Sequence, residues 1–147
     1  MNDFSDIFEL QQLVARFANS FDTKDWAALE QCLMPELHTD YSDLRGTPPE
    51  RMSNTRFVAL RRSALSDLQT HHLSGNVEIK LCGSTAALKV SMAIHRRDVD
   101  GGAFNTHCLY LMGAERAGDP PWRINSIVQK VFINDGDATI HSGLSTP

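Results

Sequence analysis

The stretch VEIKLCGSTAALKVSMAIH, residues 77–95, decides the fold class. Val77, Ile79 and Leu81 alternate with charged or polar residues, and after Cys82-Gly83-Ser84 the alternation resumes at Leu88, Val90, Met92 and Ile94. A period of two marks half-buried strands, and a short break of small residues between two such runs marks a hairpin. Two more strands follow, Ala103 to Met112 and Trp122 to Ile133, bounded by the turns Asp98-Val99-Asp100-Gly101-Gly102 and Gly118-Asp119-Pro120-Pro121. Upstream the period changes. Ile7, Leu10, Leu13, Val14, Phe17 and Phe21 form the stripe of an amphipathic helix over Ser5 to Ser20. Asp25 stands directly before Trp26 as the cap of a second, shorter helix. Leu37 to Tyr41 reads as a short strand. Pro49 to Leu65 reads as a third helix, with Pro49 in its first turn. Helices followed by a run of antiparallel strands is the α+β pattern. Several strands carry apolar or small residues on both faces, so one face meets the helices. The other needs a second cover, or the sheet curls around a cavity.

At 147 residues the chain is sized for one domain, with a core over about 6–133 and a polar tail over 134–147. It is 41% hydrophobic and 22% charged, which excludes intrinsic disorder and a collagen-like chain. No apolar run reaches the roughly 18 residues of a membrane span, and the acidic first residues lack the pattern of a signal peptide. A cytoplasmic location is expected. The net charge of −4 argues against a nucleic-acid binder, which must neutralise phosphates. Arg51, Arg56, Arg61 and Arg62 form the basic cluster and read as the solvated face of a helix. Cys32, Cys82 and Cys108 are widely spaced and read as buried, reduced thiols. Phosphate-cradling loops, the serine-hydrolase elbow and the zinc-protease motif are all missing from the sequence.

Histidine placement carries the chemical signal. His72 opens one strand, His95 ends the next, and His107 lies in the one after, so three neighbouring strands can bring imidazoles together. Histidine is the usual general acid–base near neutral pH, and Asp22, just past the first helix, is the candidate carboxylate to orient one. Read alone, each histidine is more often structural than catalytic, and Asp22 equally suits a turn between helices. His107 and Cys108 point to opposite faces and do not make a nucleophile pair. The spacing supports no metal site.

Phe21-Asp22-Thr23-Lys24-Asp25-Trp26, the following residues to Tyr41, and Thr70-His71-His72-Leu73-Ser74-Gly75-Asn76 carry a resemblance. Together with the closing strand from Trp122, they resemble the SnoaL-like, scytalone-dehydratase-like branch of the nuclear transport factor 2-like superfamily, over roughly Asp6 to Phe132. The resemblance implies a cone-shaped α+β roll, with three N-terminal helices on a strongly curved antiparallel sheet that encloses a pocket. It implies a homodimer or homotrimer through the outer sheet face, and dehydratase, isomerase or cyclase chemistry without a cofactor. The family aspartate falls on Asp22, its histidine on His72, its tyrosine on Tyr41 and a second pocket histidine on His95. His107 takes a pocket-lining position. One family tyrosine is Phe21 here, which removes a hydroxyl donor.

The expected function is therefore a cofactor-independent lyase or isomerase acting on a small, mostly apolar carbonyl-containing or cyclic substrate. His72 is the expected base and Asp22 its orienting partner, with Tyr41 and His95 as hydrogen-bond donors. Phe17, Phe21, Phe57, Leu60, His107 and Leu109 are the expected substrate-binding residues. The alternative is a non-catalytic ligand-binding or assembly module of the same fold.

Overall fold

The apolar stripe of the first helix sets the packing. In a computed structural model, which describes residues 3–142, α1 (Asp3–Asp22) buries Leu10, Leu13, Val14, Phe17, Ala18 and Phe21 against the sheet. Its first turn is anchored by Asp6, which accepts hydrogen bonds from Arg116 (2.9 and 2.7 Å) and from the Trp122 indole (2.9 Å). Its last residue, Asp22, leads into a tight turn in which Lys24 takes a left-handed φ of 55°. The Lys24 ammonium donates to the carbonyls of Leu65 and Leu68, both at 2.7 Å, and so ties this turn to the end of α4 (Asn54–Leu65). Asp25 caps α2 (Trp26–Gln31) by accepting from the Ala28 amide.

Local chemistry moves two expected boundaries. Strand β1 (Leu33–Asp40) begins earlier than the apolar pattern suggests and passes through Pro35. Proline lacks the amide that a regular ladder requires, and it falls where the pairing of β1 with β6 (Trp122–Gly136) is irregular, between Leu33 and His38. The helix expected from Pro49 begins instead at Asn54. Ser53 accepts from the Arg56 amide as its cap, while Glu50–Ser53 pair with β1 as β2. A one-turn helix, α3 (Ser42–Arg45), precedes β2 and ends at Gly46, whose φ of 70° only glycine adopts without strain.

The remaining strands are β3 (Gln69–Cys82), β4 (Thr85–Arg97) and β5 (Ala103–Arg116), each longer than its apolar alternation. Strand order is β2-β1-β6-β5-β4-β3. Neighbours are antiparallel except β1 and β6, which run parallel. Register shifts between Gly75 and Glu78 in β3, and at His107/Cys108 and Gly113/Ala114 in β5, bend the sheet, as bulges do. The result is the α+β roll, helices on a curved and unclosed sheet. Cys32 and Cys108 are buried, but Cys82 sits exposed at the β3–β4 turn, contrary to its expected burial. Among the described residues no helix is long and apolar enough to cross a membrane.

Candidate active site

Asp22 ends α1 where β3 begins to cover it, and two residues of one strand face reach the carboxylate. Thr70 donates its hydroxyl to Oδ1 at 3.0 Å, and His72 donates its backbone amide to Oδ2 at 2.7 Å. The His72 ring adds Nδ1 to Oδ1 at 2.7 Å. An ionised carboxylate only accepts, so Nδ1 carries the proton and Nε2 is left as the basic nitrogen. Partial burial pushes the Asp22 carboxyl up, but the donors from His72 and Thr70 outweigh this and hold it below its ordinary value. His72 is 7% exposed. Burial pushes its imidazole down and outweighs the opposing pull of Asp22, so the ring is neutral at neutral pH. The Phe21 ring stacks on it at 4.7 Å and 22°.

His72, Phe21 and Tyr41 line one inner chamber, whose free volume is only about 20 Å³, the scale of a single water molecule. A wider cavity of about 300 Å³ adjoins it, bounded by Thr39, Met52, Leu60 and Ala64, among others. Tyr41, Arg45 and Arg61 belong to the walls of both. The other expected residues are distributed differently. Phe17 and Phe57 are fully buried core, the first against Phe21 and Tyr110, the second beneath Arg61. Leu60 lines the outer cavity alone.

His95, His107 and Leu109 do not reach the chamber. Along β4, Leu88, Val90, Met92 and Ile94 point inward, so His95 points outward and Arg96 continues the inner face. Along β5, Thr106, Cys108 and Tyr110 are buried, which turns His107 and Leu109 away. His95 and His107 instead meet each other on the outer face, rings 6.2 Å apart, with His95 hydrogen-bonded to Asn105. A one-residue step in period exchanges the two faces.

The chamber gains residues that the sequence reading did not assign to it: Arg45, Arg61, Arg96, Tyr110, Gln129 and His141. Most had a legible signal. Arg61 stands four residues from both Phe57 and Leu65 on the buried face of α4, and is not the solvated residue expected. Arg96, Tyr110 and Gln129 each extend an inward alternation. His141, in the tail, had none. Arg96 donates to Thr106 (3.0 Å) and to the Phe104 carbonyl (3.5 Å), and Arg61 lies over the rings of Tyr41 and Phe57, at 4.4 and 4.3 Å. Gln129 directs its amide nitrogen towards Cys108 and Tyr110, and its buried carbonyl oxygen has no hydrogen-bond partner among the described residues. Burial lowers Arg45 to about 9, with Arg61 adding to the shift, and lowers Arg96 to about 10. Burial, reinforced by the three arginines, lowers His141 to about 3. Among the described residues no group of histidine, cysteine or acidic side chains is arranged to hold a metal.

Comparison with known proteins places this geometry in context. The SnoaL-like domain matches residues 2–128. Scytalone dehydratase-like protein claB of Passalora fulva is 34% identical over 77 residues, 52% of this chain and 43% of that protein. Scytalone dehydratase PfmaJ of Pestalotiopsis fici is 32% identical over 91 residues, 59% of this chain and 48% of that protein. The match thus spans less than half the length of these relatives. Among solved structures, the Kfla4162 protein of Kribbella flavida has the same fold, with a TM-score of 0.88 at 20% identity over 95% of this chain and 98% of that one.

Proposed function

The chain belongs to the SnoaL-like domain family, and on that premise we propose that it is a dehydratase-type lyase or isomerase working by general base catalysis without a cofactor. The observation that carries this reading is the 2.7 Å bond from His72 Nδ1 to Asp22, which leaves Nε2 free as a base in a buried chamber. His72 removes a proton from a carbon beside a carbonyl group, and Asp22 stabilises the imidazolium that results. Imidazole is too weak to deprotonate an unactivated carbon, so the developing enolate must be stabilised. Tyr41 and Arg96 serve this role, Arg96 taking the place first expected of His95. Donors of this kind each contribute about 3–4 kcal/mol when preorganised. Phe21 replaces a hydroxyl with a stacking surface that holds the imidazole plane. The His72 imidazolium returns its proton to the hydroxyl as the carbon–oxygen bond breaks, so that water leaves and His72 is restored as the base, and the Gln129 carbonyl oxygen accepts a hydrogen bond from that water. The body of the substrate occupies the outer cavity.

Dehydration of cyclic β-hydroxyketones, followed by absorbance of the conjugated product, tests the proposal. His72→Ala and Asp22→Asn should each lower turnover by about 10²–10⁴-fold with unchanged circular dichroism. Turnover equal to that of the unsubstituted chain in either variant removes the mechanism. The narrow inner chamber favours a second reading, a module that grips one end of a ligand without transforming it. Ligand binding with no turnover across the series would establish that reading instead. In both, a second copy of the chain covers the outer sheet face, where Leu73, Phe132 and Ile133 are 60%, 63% and 60% exposed.

A further inference from the structure

Gln129 faces Tyr110 across the β5–β6 ladder, is 1% exposed and forms part of the inner chamber's wall. Its neighbours fix which way the amide turns. The Cys108 thiol donates to the Met92 carbonyl at 3.6 Å, which leaves its sulfur to accept. Gln129 therefore presents nitrogen to that sulfur at 3.5 Å, and to the Tyr110 oxygen at 3.4 Å. The carbonyl oxygen, on the other arm of the same amide, meets no donor among the described residues. A buried acceptor left without a donor bears the full loss of its hydration. Such an atom in a cavity wall marks the place where a ligand or a water supplies the missing hydrogen.

From this acceptor we infer that Gln129 is a specificity-determining residue, which selects substrates whose leaving group is a neutral hydroxyl over those that carry a halide or an ether. The inference rests on the chamber being the reaction site, as proposed above. A free volume of about 20 Å³ admits one group the size of water, so the chamber receives the leaving group while the ring stays in the outer cavity. As the carbon–oxygen bond breaks, its electron pair passes to oxygen and the enolate pair closes the new carbon–carbon double bond. The oxygen takes the proton from His72 Nε2 and leaves as water, with a hydrogen for Gln129. A halide leaves as an anion with no hydrogen to donate, its lone pairs set against those of the carbonyl oxygen. An ether brings a methyl group that the chamber cannot hold. An ammonium group can donate, but it meets the guanidinium groups of Arg61 and Arg96 in the same wall. Those two side chains only donate, so neither replaces Gln129 as the acceptor.

The test uses the full chain and reads binding, not turnover. Phenol, fluorobenzene and anisole offer the same ring with a donor, a non-donor of similar size and a methylated oxygen. Titrated by calorimetry, with the thermal midpoint as a second readout, phenol should bind at least about tenfold more tightly than either of the others. Gln129→Met keeps the volume and loses the acceptor. It should bring phenol to within about threefold of fluorobenzene while fluorobenzene itself binds as before. Fluorobenzene bound as tightly as phenol overturns the inference. No binding of phenol does the same, because a resident water then satisfies Gln129 alone. A phenol preference that survives Gln129→Met, or that is lost in His72→Ala, also overturns it, since the acceptor is then not Gln129. Where Gln129→Met fails to fold, the comparison of ligands on the unsubstituted chain and on His72→Ala still decides. Phenol preference with no turnover of cyclic β-hydroxyketones sinks the lyase reading alone. Turnover with phenol and fluorobenzene bound alike sinks this inference alone.

Discussion

Asp22 accepts three hydrogen bonds and His72 supplies two of them, so the pair behaves as one unit. Burial depresses the imidazole more than Asp22 raises it. Because the proposed base must be unprotonated, turnover should persist below pH 6.5 and be lost only as pH falls through the depressed value. Asp22→Asn removes the charge that raises His72. The acid limb should therefore move to still lower pH while the plateau rate drops. A pH–rate profile checks both effects, and an acid limb that rises in Asp22→Asn contradicts the assigned coupling.

At the scale of elements, the chamber is built from strand faces whose assignment depends on one residue of register. Ile94 and Arg96 share the inner face of β4, and His95 lies between them on the outer one. His95→Ala should leave turnover within about twofold, whereas Arg96→Gln should lower it by at least tenfold, since on the proposed mechanism it removes a donor to the developing charge. Steady-state kinetics on the two variants would show which face holds the chemistry. The turn between α1 and α2 shows a similar division. Asp22 and Asp25 lie three residues apart, but Asp25 is spent on the Ala28 amide as a cap, and only Asp22 faces β3.

For the whole molecule, buried neutral histidines couple stability to pH. His72 lies below its ordinary 6.5, and His141 is pushed down to about 3. In that window the unfolded chain binds protons that the folded chain refuses, so stability falls as pH is lowered from about 6.5. Asp22 acts with the same sign at lower pH, because its carboxyl is held below 3.8. Thermal midpoints between pH 8 and 4 should decline most steeply below pH 6.5, and a flat profile would contradict the burial of these rings. The outer face makes a separate demand. Phe132→Lys should shift the proposed oligomer towards monomer in sedimentation, since a charge there opposes desolvation of the face shared with Leu73 and Ile133.

The linear pattern was sufficient for the α+β class, the hairpin at Cys82-Gly83-Ser84, the helix stripe from Ile7 to Phe21 and the Asp25 cap, because each depends on neighbours a few residues apart. Asp22 and His72 were legible as a pair through the family motif, though they stand fifty residues apart. The parallel pairing of β1 with β6 and the start of α4 at Asn54 depended on which backbone amides found partners across the fold. The basic chamber was decided later still. Arg45, Arg61, Arg96 and His141 come from three elements and the tail, and a charge looks solvated in a sequence until the chain closes over it. Their convergence follows from sheet curvature, which brings distant faces together without leaving a mark in any single segment.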